Sequence, residues 1–365
     1  MPGTDTQNLE IEKKSIASSE IIEAIKNAKT AVVTAHVNPD GDTLGSMLAL
    51  AKVLEDFGLE RVDRVMHDEV PSVYKFFPDQ EKVLCSMKDE DKAKLLDEYD
   101  LSFSCDCGSI KRLGSAGNIW DKAKITMNVD HHLSNPLYAD LNWVDAEATC
   151  TGQVVKDILY SLNSLIASDA ELKASKSMLN IDKDLASLLY ITLLTDTGGF
   201  RHSNTTPHVF GWASELVDLG AEPSKLYNLL FNQMPYRTIR VIGDALDNVE
   251  LVTLELNSRS LSIVYTTTSR TTLEALDAKD EDTDEIVDHL MRIKDVDMCL
   301  YLREDKQDNA NYKGSLRSAC DIDCSAIALE LNGGGHARAA GFNCDSAGFE
   351  DLKSTVLNKI SEKYS

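Results

Sequence analysis

Apolar and polar positions alternate along the first half of the chain in two rhythms. After a polar tail, SSEIIEAIKNAKT has helical apolar spacing behind a serine cap, and AVVTA is a short run suited to a buried strand. GSMLALAKVLEDFG is apolar on one face and ends at Gly58, a glycine placed to close a helix. Strand-like runs follow at RVDRVM, LSFSCDCG and ITMNVDHH, with helical segments between them. This order predicts an α/β fold, a mainly parallel sheet flanked by helices on both faces.

The pattern changes further on. From TPHVFGWASELVDLGA through PSKLYNLLFNQMPYRTIRVIGDALDNVEL it is helical, broken near Pro235, and reads as a connector. From Leu251, the runs LVTLEL, SLSIVYTTTS, DMCLYLRED and YKGSLRSAC read as strands and TDEIVDHLMRI as a helix, giving a smaller α+β domain. The expected boundaries are 15–205 for the larger domain, 206–248 for the helical connector and 249–362 for the smaller domain, in a chain of 365 residues. That length suits two domains with separate cores.

Charge narrows the partners. With 37 lysines and arginines against 60 acidic residues, the formal charge is −23, which repels long duplex nucleic acid. A small phosphate-bearing substrate stays compatible, because a bound divalent cation reverses the local field. Eight cysteines are scattered from Cys85 to Cys344 without zinc-finger spacing, as expected for reduced thiols in a cytoplasmic protein. MPGTDTQNLEIEKK lacks the apolar core of a secretory signal, and LASLLYITLLT is too short to span a bilayer, so no membrane association is expected.

The candidate chemistry sits where ligands gather in such sheets, beyond the carboxyl ends of the strands. His36, Asp40 and Asp42 follow the first strand, Asp106 the third and Asp130 to His132 the fourth, while Asp196 closes the helix DLASLLYITLLTD. Taken singly, each has a plain structural reading: an Asx turn capping the next helix at Thr43 or Ser46, a cap for SIKRLG, a surface aspartate. Three ionisable groups in a row after ITMNV would be costly if buried without partners. Imidazole with carboxylate suits manganese, iron or zinc, and a carboxylate-rich set without thiolate leans towards manganese or magnesium. Six ligand side chains exceed what one open catalytic ion needs, and two ions sharing a carboxylate clamp a phosphoryl group. In the smaller domain, Gly333 to His336 bring backbone N–H groups close to phosphate oxygens or else form a tight turn before a small-residue helix ARAAG. Arg317 in GSLRS suits a two-pronged contact to an anion or a surface strand.

Together HVNPDGDTLGS, CDCGS, DHHLSN, TDTGGFRHSNT, GSLRS and GGGHARAAG resemble, in order and spacing, the DHH phosphoesterases with a C-terminal DHH-associated domain. Within them the chain is most similar to the nano-RNA phosphodiesterases, also called bifunctional oligoribonuclease and pAp phosphatase. The resemblance implies an active site in the interdomain cleft and two divalent ions, most often Mn2+. His36, Asp40 and Asp106 would hold the first ion, and Asp42, Asp106, His131 and Asp196 the second. Asp106 would bridge them, His132 would face the scissile phosphate, and Asp130 would orient the histidines. Ser315, Arg317, Gly334, Gly335 and His336 would bind a terminal phosphate, with Arg201 or His202 as a weaker hint of a substrate contact.

The implied activity is hydrolysis of very short oligoribonucleotides, such as pApA-type dinucleotides, to mononucleotides by a hydroxide bridging two metals. Dephosphorylation of adenosine 3′,5′-bisphosphate is a second implied activity, and pairing into a homodimer is usual among relatives. A cyclic-dinucleotide phosphodiesterase and a catalytically silent nucleotide-binding sensor are the alternative readings. Residues Ser161 to Asp184 form a longer segment than the family usually has there, expected to be a lid, an interface or a surface loop.

Overall fold

The computed structural model describes residues 15–16, 18–257, 259–305 and 311–365. The N-terminal stretch 1–14, read above as lacking a signal core, lies outside them. Two compact units meet in sequence between Gln233 and Met234.

The first unit is built on a seven-stranded sheet of β1 (Ser15–Ile16), β2 (Thr30–Ala35), β3 (Arg61–Met66), β4 (Val83–Cys85), β5 (Tyr99–Cys105), β6 (Ala123–Asp130) and β7 (Leu141–Val144). The order is β1-β7-β6-β5-β2-β3-β4, parallel throughout except for the two-residue edge strand β1. Along β2, Ala31, Val33 and Ala35 face one side of the sheet and Val32 the other, the period-two alternation of a strand covered on both faces. The first side packs against α1 (Ser18–Asn27), α2 (Gly41–Phe57), α3 (Thr151–Ser168) and α4 (Lys183–Asp196). The second side meets Ala116 and Ile119, from the short helical turns between β5 and β6.

Connections set the place of the site. From β2 the chain runs through α2 to β3 on one side, and from β5 it runs through the opposite layer to β6 on the other. β2 and β5 are neighbours, so a crevice opens beyond their carboxyl ends, at the topological switch point.

α2 explains how close its neighbours come. Asp40 caps it by accepting from Thr43 N at 2.9 Å, and left-handed Gly58 (φ 104°) closes it. Leu44, Met47, Leu48, Leu50 and Leu54 are fully buried, each worth roughly 1.5–3 kcal/mol against exposure. Gly41 and Gly45 let α4 approach: a Cβ at Gly41 would lie 2.1 Å from Thr195 Oγ1, and one at Gly45 would lie 2.9 Å from Thr192 Cγ2.

The segment Ser161 to Asp184 is not a free loop. It completes α3, forms the turn of helix Ala170–Ser175 and returns to α4. Asp169 pairs with Lys26 of α1 at 2.9 Å, Asp182 with Lys52 of α2 at 3.0 Å, and Lys176 donates to the Phe57 carbonyl. These contacts fasten three helices together, which is a structural strap.

The helical stretch after residue 206 divides between the units. α5 (Pro207–Asp218) and α6 (Pro223–Phe231) belong to the first, and α7 (Tyr236–Asp247) to the second. The second unit holds a mixed sheet of β8 (Glu250–Glu255), β9 (Ser260–Thr268), β10 (Met298–Glu304), β11 (Asn311–Ser318), β12 (Gly334–His336) and β13 (Ala339–Asp345), in the order β12-β13-β11-β10-β9-β8. One face packs on α8 (Cys324–Leu329) and α9 (Phe349–Tyr364), the other on α7 and the short helices Arg270–Ala275 and Ile286–Leu290. The segment ARAAG is not a helix. Residues 339–341 pair with both β11 and β12, and closing that hairpin outweighs alanine's preference for helix. No helix among the described residues is long and apolar enough to cross a membrane.

Candidate functional site

The crevice beyond β2 and β5 gathers the acidic motifs. Three overlapping groups have ligand atoms within 4.8 Å of one another: His36, Asp40 and Asp106; Asp42, His131 and Asp196; and Asp106, His131 and His132. Asp106 takes part in two of them, from a left-handed backbone position (φ 53°) directly after the last residue of β5.

In the first group everything points at one hydroxyl. Thr43 Oγ1 lies 2.6 Å from Asp106 Oδ2, 2.7 Å from His36 Nε2 and 3.0 Å from Asp40 Oδ1. His36 Nδ1 is 2.7 Å from the Val37 carbonyl, which only accepts, so Nδ1 carries a hydrogen and Nε2 is left to face Asp106 at 3.6 Å. One hydroxyl has one hydrogen for these three groups. The surplus of acceptor atoms fits a cation.

The second group is deeper. The Asp42 carboxylate is fully buried and receives Thr151 N at 2.8 Å and Gly152 N at 3.2 Å, at the N-terminus of α3, where the helix dipole favours negative charge. Burial, then the charges of Asp196, Asp106 and Asp40, push its carboxyl well up. Burial and the same neighbours, Asp106 and Asp40, push Asp196 up to about 8. Asp106 goes the other way. Burial alone would raise it, but hydrogen bonding by His36 and Thr43 and the nearby rings of His131 and His132 hold it below the usual carboxylate range. His131 keeps Nδ1 on the Ala148 carbonyl at 3.3 Å and aims Nε2 at Asp196 (3.1 Å), Asp106 (3.7 Å) and Asp42 (3.8 Å). Carboxylates so crowded, with imidazole nitrogens turned inward and no thiolate, are the donor set of a hard divalent ion.

His132 is held differently. Its Nδ1 is 2.7 Å from Asp130 Oδ1, and that hydrogen bond, opposed by burial, raises its pKa to about 9. Asp130 is fully buried, and it also receives His131 N at 2.8 Å and the Asn135 amide. Asn135 reaches on to Asn128 at 2.6 Å, and Asn128 to the Tyr138 hydroxyl at 3.1 Å, so a satisfied polar network locks Asp130 in place. His202 Nδ1 and Asn204 Nδ2 each lie 3.2 Å from the Asp196 carbonyl, and Arg201 Nε bonds the Gly198 carbonyl at 2.7 Å. The hinted residues Arg201 and His202 thus brace the loop after Asp196.

The remaining candidates lie in the second unit. The strand register sets Arg317 opposite Ala339 and Ala339 opposite His336, and likewise Ser315, Gly341 and Gly334 in the next row. A Cβ at Gly333 would lie 2.1 Å from the Gly341 carbonyl, so glycine is required where these strands close up. Gly335 stands beside Gly334 in β12, and His336 is exposed.

Sequence reasoning missed the hydroxyls. Thr43 was read only as a place to cap a helix, and Thr151, whose Oγ1 reaches Asp106 Oδ1 at 3.1 Å, was not singled out. The proximity of Thr43 to the histidine-aspartate turn was the available signal; for Thr151 there was none.

Residues 30–193 match the DHH family, N-terminal domain, and residues 263–362 match the DHHA1 domain. The chain belongs to the DHH family. It is thus a DHH-family phosphoesterase, a metal-dependent hydrolase, and its acidic and histidine clusters are able to bind metal. Among curated relatives, the bifunctional oligoribonuclease and PAP phosphatase NrnA of Thermus thermophilus is 26% identical over 94% of this chain and 93% of its own length. The protein of the same name from Bacillus subtilis is 25% identical over 88% and 92%. An exopolyphosphatase-related protein from Bacteroides fragilis shares the fold at a TM-score of 0.79 and 24% identity, covering 95% of this chain and 96% of that one.

Proposed function

We propose that this DHH-family protein is a manganese-dependent phosphodiesterase that hydrolyses very short oligoribonucleotides to mononucleotides and also dephosphorylates adenosine 3′,5′-bisphosphate. The observation that carries the reading is the crevice where three overlapping groups of histidine and aspartate ligand atoms meet, Asp106 in two of them and His131 in two, set in a chain similar over nearly its whole length to oligoribonucleases and PAP phosphatases. His36, Asp40 and Asp106 would hold one divalent ion, and Asp42, Asp106, His131 and Asp196 a second. Such ions supply a strong nucleophile from water at neutral pH and neutralise phosphoryl oxygens.

The other steps fall to the protein's own groups. Thr43 donates to Asp106 Oδ2 and Thr151 to Oδ1, so each oxygen of the carboxylate that would serve both ions is held by its own hydroxyl. His132, protonated through its bond to Asp130, offers Nε2–H to the scissile phosphate or to the departing oxygen. Ser315, Arg317, Gly334, Gly335 and His336 supply donors for a terminal phosphate. With a charge of −23 the chain favours substrates short enough to be held by a few such groups.

The test is hydrolysis by the manganese-loaded protein of pApA, adenosine 3′,5′-bisphosphate, a cyclic dinucleotide, pyrophosphate and a long single strand, beside Asp106→Ala. Release of AMP from pApA, lost in the variant, is expected. Metal-dependent turnover of the cyclic dinucleotide or pyrophosphate alone would replace the substrate assignment. No turnover of any of them would overturn the reading in favour of a nucleotide-binding sensor.

A further inference from the structure

On the rim of the first sheet, His36 stands directly after β2, Asp106 directly after β5 and His67 directly after β3. β3 is the parallel neighbour of β2 on the side away from β5, so His67 extends the same rim beyond the crevice. It belongs to none of the metal-ligand groups.

The His67 ring is held through one nitrogen. Ser115 N donates to Nδ1 at 3.1 Å, and the Ser115 hydroxyl meets the same nitrogen at 2.8 Å. Ser86, buried directly after β4, meets that hydroxyl at 2.6 Å. A ring nitrogen that accepts a backbone N–H has no hydrogen of its own, so the imidazole hydrogen sits on Nε2. Val37, the residue after His36, comes close to the same ring. A Cβ at Gly114 (φ 56°) would lie 2.9 Å from both His67 Cγ and Val37 Cγ1, so only glycine fits where the three segments close up.

Nε2–H is left over. It makes no hydrogen bond among the described residues, and the side chain is 29% exposed. Asp68 Oδ1 lies 3.8 Å from it, beyond hydrogen-bond reach, on a side chain 57% exposed and with no other ion pair among the described residues. A donor and an acceptor thus stand side by side at the surface, each with capacity to spare. The carboxylate would repel a phosphate. What matches the pair is a neutral planar group that sets an acceptor beside a donor, as adenine does with N7 and N6–H2.

We infer that His67 and Asp68 read the edge of a substrate nucleobase on the β3 side of the crevice, His67 Nε2–H donating to a ring nitrogen or carbonyl and Asp68 accepting from the neighbouring N–H. The inference rests on the nucleotide substrate proposed above and adds a base contact to it. Ser115 and Ser86 are positioning residues, which fix the tautomer that turns the donor outward.

The experiment is isothermal titration of the full, Mn2+-loaded chain with a pApA analogue made uncleavable by a methylene in place of the bridging oxygen, and with the same analogue carrying hydrogen in place of both bases. His67→Asn keeps an acceptor where Nδ1 stood and removes the Nε2 donor, whereas His67→Gln keeps a donor where Nε2 stood and loses the Nδ1 acceptor. His67→Asn and Asp68→Ala are expected to weaken the adenine-bearing analogue roughly tenfold, the loss of one hydrogen bond that leaves its partner unpaired, and to leave the base-free analogue unchanged. His67→Gln is expected to bind the adenine-bearing analogue more tightly than His67→Asn, even if it melts lower. A histidine that only ties the loops together predicts the reverse order. That reverse order, equal weakening of both analogues, or a wild type that binds the adenine-bearing form no more tightly than the base-free one would overturn the inference. A protein that shows the expected differences yet cleaves no short RNA would sink the proposed activity and leave the base contact standing.

Discussion

Thr43 Oγ1 stands 2.6 Å from Asp106 Oδ2, across 63 residues of sequence, and the same hydroxyl meets His36 Nε2 at 2.7 Å. It therefore sets the spacing of two groups proposed to share a metal. Thr43→Val keeps the shape and the backbone N–H that Asp40 caps, and removes only the hydroxyl. Outer partners of metal ligands are worth about 10–100-fold in affinity, so Mn2+ binding by titration calorimetry is expected to weaken by that factor with little change in melting temperature of the metal-free protein. An unchanged dissociation constant would show that Thr43 only caps the helix.

The approach of α2 to α4 places Asp42 and Asp196 on the same rim, and Gly41 is its tightest point. Gly41→Ala would put a methyl group on Thr195 Oγ1. Overpacking of this kind costs about 1–3 kcal/mol, which urea unfolding would register as a lower midpoint at unchanged slope. Adding Thr195→Ala should recover most of the loss, because the clash is with that side chain. A double variant as unstable as Gly41→Ala would place the strain elsewhere.

How much of this was legible from residues follows from what each feature leaves in the local pattern. The ends of β2, β5 and β6 stand out because His36, Asp106 and Asp130 interrupt apolar runs. β4 and β7, at three and four residues, are too short to show alternation, and both escaped notice. So did α9, whose buried positions Leu352, Val356 and Ile360 are spaced for a helix but lie among lysines, serines and glutamates. ARAAG carries helical propensity and became a strand only because β11 waits beside it, a tertiary fact. The bond from Thr151 N to Asp42 spans 109 residues, and nothing in either neighbourhood announces it.

The Asp130–His132 pair predicts a pH profile. With its pKa raised to about 9 by the Asp130 carboxylate, His132 keeps its proton through neutral pH and loses it as pH rises through that value. Asp130→Asn leaves an acceptor but removes the charge, so the His132 pKa should fall back towards about 6.5. If His132 acts in its protonated form, the alkaline limb of kcat against pH for pApA must move to lower pH in the variant. The imidazole titration followed by NMR should move with it. A shifted imidazole with an unmoved alkaline limb would remove His132 from the proton-transfer step.

Far from the site, Asp100 at the start of β5 makes a separate prediction about acid stability. Its carboxylate takes Lys124 Nζ at 2.8 Å, Lys29 N at 3.0 Å and Thr30 N at 3.1 Å, tying β5 and β6 to the start of β2. The Lys124 bond first, then the Lys29 amide, lower its pKa to about 2, against about 3.9 in an unfolded chain. A carboxyl depressed by folding contributes stability that is fully present above the unfolded value and is lost as pH falls through the folded one. The stability gap between wild type and Asp100→Asn should therefore be widest above about pH 4 and shrink towards pH 2. Urea midpoints of both proteins across that range measure it. A gap that stays constant with pH would mean that Asp100 acts as a neutral hydrogen-bond acceptor and that its charge adds nothing to the fold.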